Sequence, residues 1–325
     1  MGIMAKIAVS AALMAVAAPA AMADNYPSQP VRLVVGFSPG SSIDLVARII
    51  GDGLSKRMGT SFIIENKTGA NGMIAARTVQ QAKPDGYTLL VSNSSSITVN
   101  PLLFSDLGYE PLKDFAPIST VVSVPFVLTV NPANPNTKDI SNVADLIAKA
   151  KADPGGVTYG SAGNGNLMHL AGAQLAAMSG TQMTHVPYRG AASMEAGLLA
   201  NEIYFGFDTL SGVPLMKSGK LKPLAMSSKE RWRDLPDVPA LDEVGYPGFD
   251  ISFWVGTFAP AGTPDAVVER LNKEIAAVVQ EPEVRERLMQ QGNILTQSPA
   301  DFIKKIETEL GQNGDLIKRA NITAQ

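Results

Sequence analysis

The sequence predicts an α/β fold in which two regions of alternating strands and helices are joined by two extended segments. β-rich runs alternate with helical patterns from residue 31 to 96, and the same alternation resumes after residue 140. Two long apolar, proline-flanked runs lie near 125–131 and 252–260. Two crossings imply that the second region is inserted into the first, which creates a hinge and a cleft suited to a small ligand. One large α/β domain is the alternative that the length also permits.

The first region reads as strand, helix, strand, helix, strand. Its strands are "VRLVV", "SFIIEN" and "YTLLVSN", and its helices are residues 45–58 and "GMIAARTVQQAK". Apolar residues in the first helix recur at helical spacing, at Val46, Ile49, Ile50 and Leu54. This order predicts a parallel sheet with helices on its faces.

The second region is predicted from shorter runs. It starts after the first extended crossing, "PFVLTV". We assign strands to "VTYGS", "MTHVPY", "IYFGFD" and "LKPLAMSS", and helices to "ISNVADLIAKAKAD", "LMHLAGAQLAAMSG" and "AASMEAGLLANE". The Pro-rich loop at 229–250 is irregular, "ISFWVGTFAP" is a buried strand, and the tail is helical. Thr263 and Ser298 each precede a proline, and we expect them to cap the helices that follow.

The first 23 residues have the pattern of a secretory signal peptide. Lys6 is followed by an apolar run that is too short to span a bilayer, and Ala21 and Ala23 form a cleavage pattern. An uncleaved anchor is the alternative. The predicted organisation is then signal peptide 1–23, domain 1 from 24–125 plus 253–325, and an inserted domain 2 from 126–252.

Composition excludes several classes of function. A net charge of −3 without a basic run argues against nucleic-acid binding, and the absence of cysteine excludes disulfides and thiol chemistry. Two histidines without a thiol or an H-E-x-x-H motif make a metal site improbable. Gly163 and Gly165 give only part of a dinucleotide motif, because Met168 stands at the third glycine position. We therefore expect no cofactor and no metal.

Three predicted strand ends are rich in small polar residues: "GFSPGSSID" at 36–44, "SNSSS" at 92–96 and "GSAGNGNLMH" at 160–169. Ligands bind at the carboxyl ends of the strands in open parallel sheets. Two of these loops lead into helices, whose first N–H groups lack backbone partners and favour anions. Alternatively, Ser41 and Asp44 form a capping box and the glycines only make turns. The presence of such loops in both regions favours a site for a carboxylate.

For several residues in or near these loops, a role in ligand binding is weighed against a structural role. We expect Asp44 to cap its own helix rather than to touch a ligand that it would repel. His169 either donates to a ligand or bonds locally, whereas His185 is expected to be structural. Asp208 either accepts from a ligand or caps the next turn. Ser161, a histidine and Asp208 would also make a hydrolase triad, although "GSAG" is not a G-x-S-x-G elbow.

Several segments together resemble the Bug family, the extracytoplasmic solute-binding receptors of tripartite tricarboxylate transporters. They are "YPSQPVRLVVGFSPGSSIDLVAR", "KPDGYTLLVSNSSS", "VTYGSAGNGNLMHLAG", "HVPYRGAASM" and "WVGTFAPAGTPDAVVERLN". The resemblance covers nearly all of the chain after the leader. It implies a two-domain periplasmic-binding-protein fold of type II, or Venus-flytrap fold, with two crossover strands, whose members bind carboxylic acids, amino acids or aromatic acids.

The resemblance and the strand-end argument together predict the ligand-binding residues. These are Phe37, Ser38, Gly40, Ser41, Ser42, Asn93, Ser94, Ser161, Asn164, Gly165, Asn166, His169 and Asp208. Two positions depart from the family pattern: Ser41 replaces a glycine, and Asn166 replaces a serine. Both changes fall in the loops that would select the ligand.

The expected function is therefore a monomeric periplasmic receptor that captures a small organic carboxylate and delivers it to membrane transporter subunits. It breaks no bond. An exported α/β serine hydrolase and a periplasmic sensor input protein are the alternatives.

Overall fold

A computed structural model describes residues 26–319 and residue 322. The predicted signal peptide, 1–23, lies outside the described residues. Within them, the chain forms two mixed sheets. The strands are β1 Val31–Val35, β2 Phe62–Asn66, β3 Thr88–Asn93, β4 Phe115–Pro125, β5 Val127–Val130, β6 Thr158–Ser161, β7 Thr184–Pro187, β8 Phe205–Asp208, β9 Lys222–Met226, β10 Ser252–Pro260 and β11 Asn293–Ile294.

The helices are α1 Ser42–Met58, α2 Met73–Gln80, α3 Asn100–Leu103, α4 Pro111–Asp114, α5 Val143–Ala152, α6 Leu167–Ser179, α7 Ala191–Leu199, α8 Val213–Lys217, α9 Asp265–Gln280, α10 Pro282–Met289 and α11 Pro299–Arg319. A π-helical segment, Ser95–Val99, follows β3 directly. Within the tail, which was predicted to be helical, α9 and α10 are separate helices because the chain turns at Glu281, which precedes a proline.

The larger sheet has the strand order β11-β4-β10-β3-β1-β2. β1 pairs in parallel with β2 and β3, as the alternation of strands and helices predicts. Val31, Leu33 and Val35 pack into one core cluster with α1 and α9, while Val34 joins a second cluster with α2 and α11. β1 is therefore buried on both faces, which explains its continuous apolar sequence.

The smaller sheet has the order β7-β6-β8-β5-β9, in which β6 pairs in parallel with β7 and β8. Every strand of this sheet comes from residues 127–226, between β4 and β10 of the larger sheet. The chain passes from the larger sheet to the smaller at Phe126 and returns through 227–251. The apolar runs at 127–130 and 252–260 are strands within the two sheets, β5 and β10, rather than the crossing points themselves.

The proline-rich stretch before residue 125, which was assigned no element from the sequence, contains the long strand β4. This strand tolerates Pro117 because β11 pairs only with Val122 and Ser123. One sequence-based expectation is wrong in detail. Thr263 does not cap α9, since its hydroxyl donates to the Pro260 carbonyl at 2.8 Å. Ser298, in contrast, accepts from the Asp301 N–H at 3.1 Å and caps α11 as predicted.

Candidate functional site

A cleft of about 820 Å³ lies between the two sheets. Its wall on the larger sheet comes from the loops after β1, β2 and β3, at 36–43, 68–73 and 93–95. Its wall on the smaller sheet comes from the loops after β6, β7 and β8. All six loops follow the carboxyl ends of strands, so the sheet topology itself positions the cleft.

The loop after β1 leaves hydrogen-bond donors unpaired at the cleft. Ser41 is the N-cap of α1 and accepts from the Asp44 N–H at 3.4 Å. No protein acceptor is present among the described residues for the backbone N–H groups of Ser42 and Ile43, which line the cleft. The Ser42 hydroxyl is buried and also has no protein partner. These three neighbouring donors suit an anionic ligand atom.

Asp44 stabilises this loop through hydrogen bonds and does not line the cleft. Its carboxylate accepts from the Gly40 N–H at 2.9 Å, the Asn66 amide at 2.8 Å and the Arg48 guanidinium at 2.9 Å. Burial alone would raise the pKa of the Asp44 carboxyl, but these hydrogen bonds outweigh burial and lower it. The predicted capping box is therefore only half formed, because the carboxylate binds the N–H of Gly40 rather than that of Ser41.

The loop after β2 was not among the predicted site residues, although it lines the cleft from Thr68 to Met73. Gly72 has φ +85°, and a Cβ atom there would lie 2.3 Å from the Ser96 hydroxyl oxygen. Gly36 is also closely packed, since a Cβ atom added at this position would lie 2.8 Å from the Cα of Gly72. Glycine at both positions lets the two loops touch at the cleft.

The loop after β3 contributes Asn93 to the cleft lining. Its side-chain oxygen accepts from the Ser96 N–H at 3.2 Å, which leaves the amide nitrogen without a described protein acceptor. Ser94 is buried outside the lining, and its hydroxyl has no protein partner. The next residue, Ser95, lines the cleft and accepts from the Leu167 N–H of the other half at 3.2 Å.

The loop after β6 differs from the sequence-based expectation. Asn166 caps α6 by accepting from the Met168 N–H at 2.9 Å, and its amide donates to Asn71 across the cleft at 3.3 Å. The first two N–H groups of α6 are therefore both occupied, that of Leu167 by Ser95 of the facing half and that of Met168 by the Asn166 cap. Asn164 and Asn166 line the cleft, whereas Gly165 packs toward Leu103.

Ser161 and the two histidines form a buried group behind that loop. The Ser161 hydroxyl is 2.7 Å from His185 Nε2, and the rings of His185 and His169 stack with centroids 3.6 Å apart. His169 Nδ1 accepts from the Gly165 N–H at 3.3 Å. Neither ring lines the cleft; both face a second cavity of about 590 Å³ beside Tyr159. His169 therefore bonds locally, and His185 stacks on it while it is hydrogen-bonded to Ser161.

The stacked histidines predict a loss of stability in acid. Burial lowers the pKa of His169 to about 4, and burial together with the charge of His169 lowers the pKa of His185 to about 3. Both values lie below the unfolded value of 6.5, so the unfolded chain binds more protons as the pH falls through 6.5. We expect His169 to contribute about 2 kcal/mol of this loss between pH 7 and pH 5, and the more exposed His185 less.

Urea unfolding at pH 7 and pH 5 measures this effect. The sequence has only these two histidines, so a His169→Gln, His185→Gln double variant removes all histidine titration. Its free energy of unfolding should change less between the two pH values than that of the original protein. Equal changes in the two proteins would contradict the assignment.

Asp208 lies beneath the cleft rather than in its lining. One carboxyl oxygen accepts from the Thr209 N–H at 2.7 Å, and the other has no donor among the described residues. Burial and the neighbouring Glu195 raise the pKa of Asp208 well above its usual range, and burial also raises that of Glu195. Asp208 therefore supports the Thr209 wall of the cleft and does not line the cleft itself.

The site residues found in the cleft lining are Phe37, Ser38, Gly40, Ser41, Ser42, Asn93, Asn164 and Asn166. Sequence reasoning missed Asn71 and Arg189, which follow β2 and β7. The rule that selected the other loops would have found them, because "NKTGANG" and "YRG" also follow parallel strands. It could not have found Phe126, which lies at the first crossing between the sheets, or Phe253, which lies at the start of β10. Among the described residues no cluster of His, Asp and Glu could hold a metal ion.

A model of the tripartite tricarboxylate transporter family receptor matches residues 46–322. The chain belongs to this family. The receptor is 35% identical over 312 residues to a UPF0065 protein of Bordetella bronchiseptica, an alignment that covers 95% of this chain and 91% of the other. It is 33% identical over 292 residues to protein BugT of Bordetella pertussis, covering 89% and 88% of the two chains.

Solved structures resemble the receptor over most of its length. An R. palustris protein with adipate superposes with a TM-score of 0.86 at 33% identity, covering 92% of this chain and 99% of that one. MatC from Rhodopseudomonas palustris with bound malate gives a TM-score of 0.81 at 29% identity, covering 90% and 100%. The receptor thus has the two-domain periplasmic-binding-protein fold that the sequence predicts. No helix in its described part is both long and apolar enough to cross a membrane.

Proposed function

We propose that this protein is a periplasmic receptor that captures a small organic carboxylate in the cleft between its two halves. The observation that carries this proposal is the trio of unpaired donors at the start of α1: the Ser42 hydroxyl and the N–H groups of Ser42 and Ile43. A carboxylate satisfies these donors without a buried counter-charge. The adipate and malate in the related structures support the same ligand class.

The eight predicted residues in the cleft lining are proposed to touch the ligand. The other five, Ser94, Ser161, Gly165, His169 and Asp208, are proposed to hold the loops in place. Their buried contacts, such as that of Ser161 with His185, support this division.

Capture is proposed to occur by closure of domain 2, residues 126–252, on domain 1, residues 24–125 plus 253–325. Ser227 links the two crossings, because its hydroxyl accepts from the Phe126 N–H at 2.7 Å and donates to the Ile251 carbonyl at 2.6 Å. The contacts of Asn71 with Asn166 and of Ser95 with Leu167 join the two walls directly. A ligand that also touches both walls would shift the equilibrium toward the closed form.

The proposed location is the periplasm after removal of residues 1–23, and the proposed partners are the membrane subunits of a tripartite tricarboxylate-type transporter. A monomer is proposed. A sensor that presents the same ligand to a signalling partner would use the same cleft, and a neighbouring transporter gene would favour uptake.

We propose that the receptor has no hydrolase activity. The Ser161 hydroxyl is fully buried and is engaged by Gly163 and His185, so a substrate carbonyl cannot reach it. The described hydrogen bond of the Asp208 carboxyl is with the Thr209 N–H, and none joins it to either histidine. We expect the original protein to show no ester hydrolysis. If it did hydrolyse esters and a Ser161→Ala variant lost that activity, the proposal would be wrong.

Thermal unfolding with a panel of mono-, di- and tricarboxylates tests the receptor function. We expect one class to raise the midpoint, since a ligand at 100 times its Kd adds about 2.7 kcal/mol. Mass spectrometry of solute released on denaturation identifies any ligand that co-purifies. If no carboxylate raises the midpoint of protein shown to be ligand-free, the proposed function is wrong.

A further inference from the structure

The cleft contains a single charged side chain among its described lining residues, that of Arg189. It lies in the loop between β7 and α7, on the smaller-sheet wall. The rest of the lining is neutral, with serines, asparagines and glycines beside large hydrophobic side chains. The charge at Arg189 is therefore the main electrostatic feature that an entering ligand meets.

Arg189 also differs from the other arginines of the chain. Each of the others has a described hydrogen-bond or ion-pair partner; for example, Arg48 binds Asp44 and Arg77 binds Leu107, while Arg287 forms only a 3.9 Å ion pair with Asp52. For Arg189 the structure describes neither an ion pair nor a hydrogen bond. A guanidinium in a cleft without a protein counter-ion is free to bind an anionic group in bidentate fashion.

The two anion-binding points lie on opposite walls. The donors of Ser42 and Ile43 begin α1 on the larger sheet, whereas Arg189 follows β7 on the smaller sheet. Large hydrophobic side chains come from both halves, including Phe37 and Met73 on one wall and Met168 on the other. Phe126, at the first crossing, packs against Phe253 at the start of β10, with ring centroids 5.4 Å apart.

We propose that Arg189 is the specificity-determining residue that selects a ligand with two carboxylates. Resting on the proposed receptor function, this inference places one carboxylate at the start of α1, the second at Arg189, and an uncharged methylene or aromatic spacer among the hydrophobic side chains. Such a ligand binds both walls at once, so its second carboxylate stabilises the closed form. A monocarboxylate of the same length makes only the first contact and gains less from closure.

Isothermal titration calorimetry on ligand-free protein tests this with matched pairs that differ by one carboxylate: succinate and butyrate, adipate and hexanoate, terephthalate and 4-methylbenzoate. In the original protein we expect at least one dicarboxylate to bind about 10–100-fold more tightly than its partner. In Arg189→Gln this ratio should fall to less than about 3-fold, chiefly through weaker dicarboxylate binding. Arg189→Lys should keep part of the preference, since it keeps the charge but loses the bidentate geometry.

Arg285→Gln is the matched control, because it removes the same charge from an exposed side chain outside the cleft lining. It should leave the ratio unchanged. The inference is overturned if Arg189→Gln leaves the ratio unchanged, if monocarboxylates bind as tightly as dicarboxylates, or if no pair binds. In each of these cases the receptor function still stands if another carboxylate raises the unfolding midpoint, and it fails only if none does.

Discussion

Replacing Asp44 with alanine is expected to cost about 2–4 kcal/mol of folding free energy and to weaken carboxylate binding at least about tenfold. The side chain of Asp44 is 1% exposed, and its carboxylate accepts from Gly40, Asn66 and Arg48. Its loss leaves the Gly40 N–H and the Asn66 amide without that acceptor. The loop that places Ser42 at the cleft would then lose its support, although Asp44 itself does not line the cleft.

Asp52→Ala is the control for this change. Asp52 lies on the same helix, is 64% exposed, and has only a 3.9 Å ion pair with Arg287. Its replacement should alter stability by less than about 0.5 kcal/mol and leave binding unchanged. Urea unfolding and calorimetry measure the two effects. Equal effects of both replacements would show that Asp44 does not organise the loop.

The stability loss from Asp44→Ala should also depend on pH. The hydrogen bonds lower the folded-state pKa of Asp44 below its unfolded value of 3.8, so its contribution is complete above that value and disappears as the pH falls through the folded-state pKa. The difference between the original protein and the variant should therefore be constant near neutral pH and shrink in strong acid.

Replacing Phe302 with alanine is expected to cost about 3–5 kcal/mol of folding free energy. Phe302 is fully buried in α11, edge-on to Trp254 at 4.9 Å and 5.1 Å from the ring of Phe258. Gly256 lies beneath it, since a Cβ there would come within 2.6 Å of the Phe302 ring. The ring fills a site that the rigid strand β10 cannot close, so its removal leaves a cavity.

Ile303→Ala is the matched control, because Ile303 is the next residue of the same helix and is 37% exposed. Its replacement should cost less than about 1 kcal/mol. Tryptophan fluorescence follows both unfolding transitions, since Trp254 contacts Phe302 directly. A loss for Phe302→Ala no larger than that for Ile303→Ala would contradict the packing argument.

Much of the architecture could be predicted from local patterns. The parallel order of β1, β2 and β3 follows from the alternation of strand and helix, and the start of α1 follows from a strand that runs through glycine, proline and serine into a helix. The strand β4 could not be predicted, because Pro117 argues against a strand unless the neighbours of that position are known. The π-helical turn after β3 likewise gave no sequence signal that we could identify.

For the site residues, too, the sequence predicted some features and only the tertiary structure decided others. By itself, the sequence determined which loops lie at the carboxyl ends of strands and that two of them begin helices with unpaired donors. Only the tertiary structure decided which donors stay free: Leu167 meets Ser95 and Asn166 meets Asn71, while Ser42 meets no protein group. The reason is physical, since a helix start is encoded by neighbouring residues, but the partner that satisfies it comes from elsewhere in the chain.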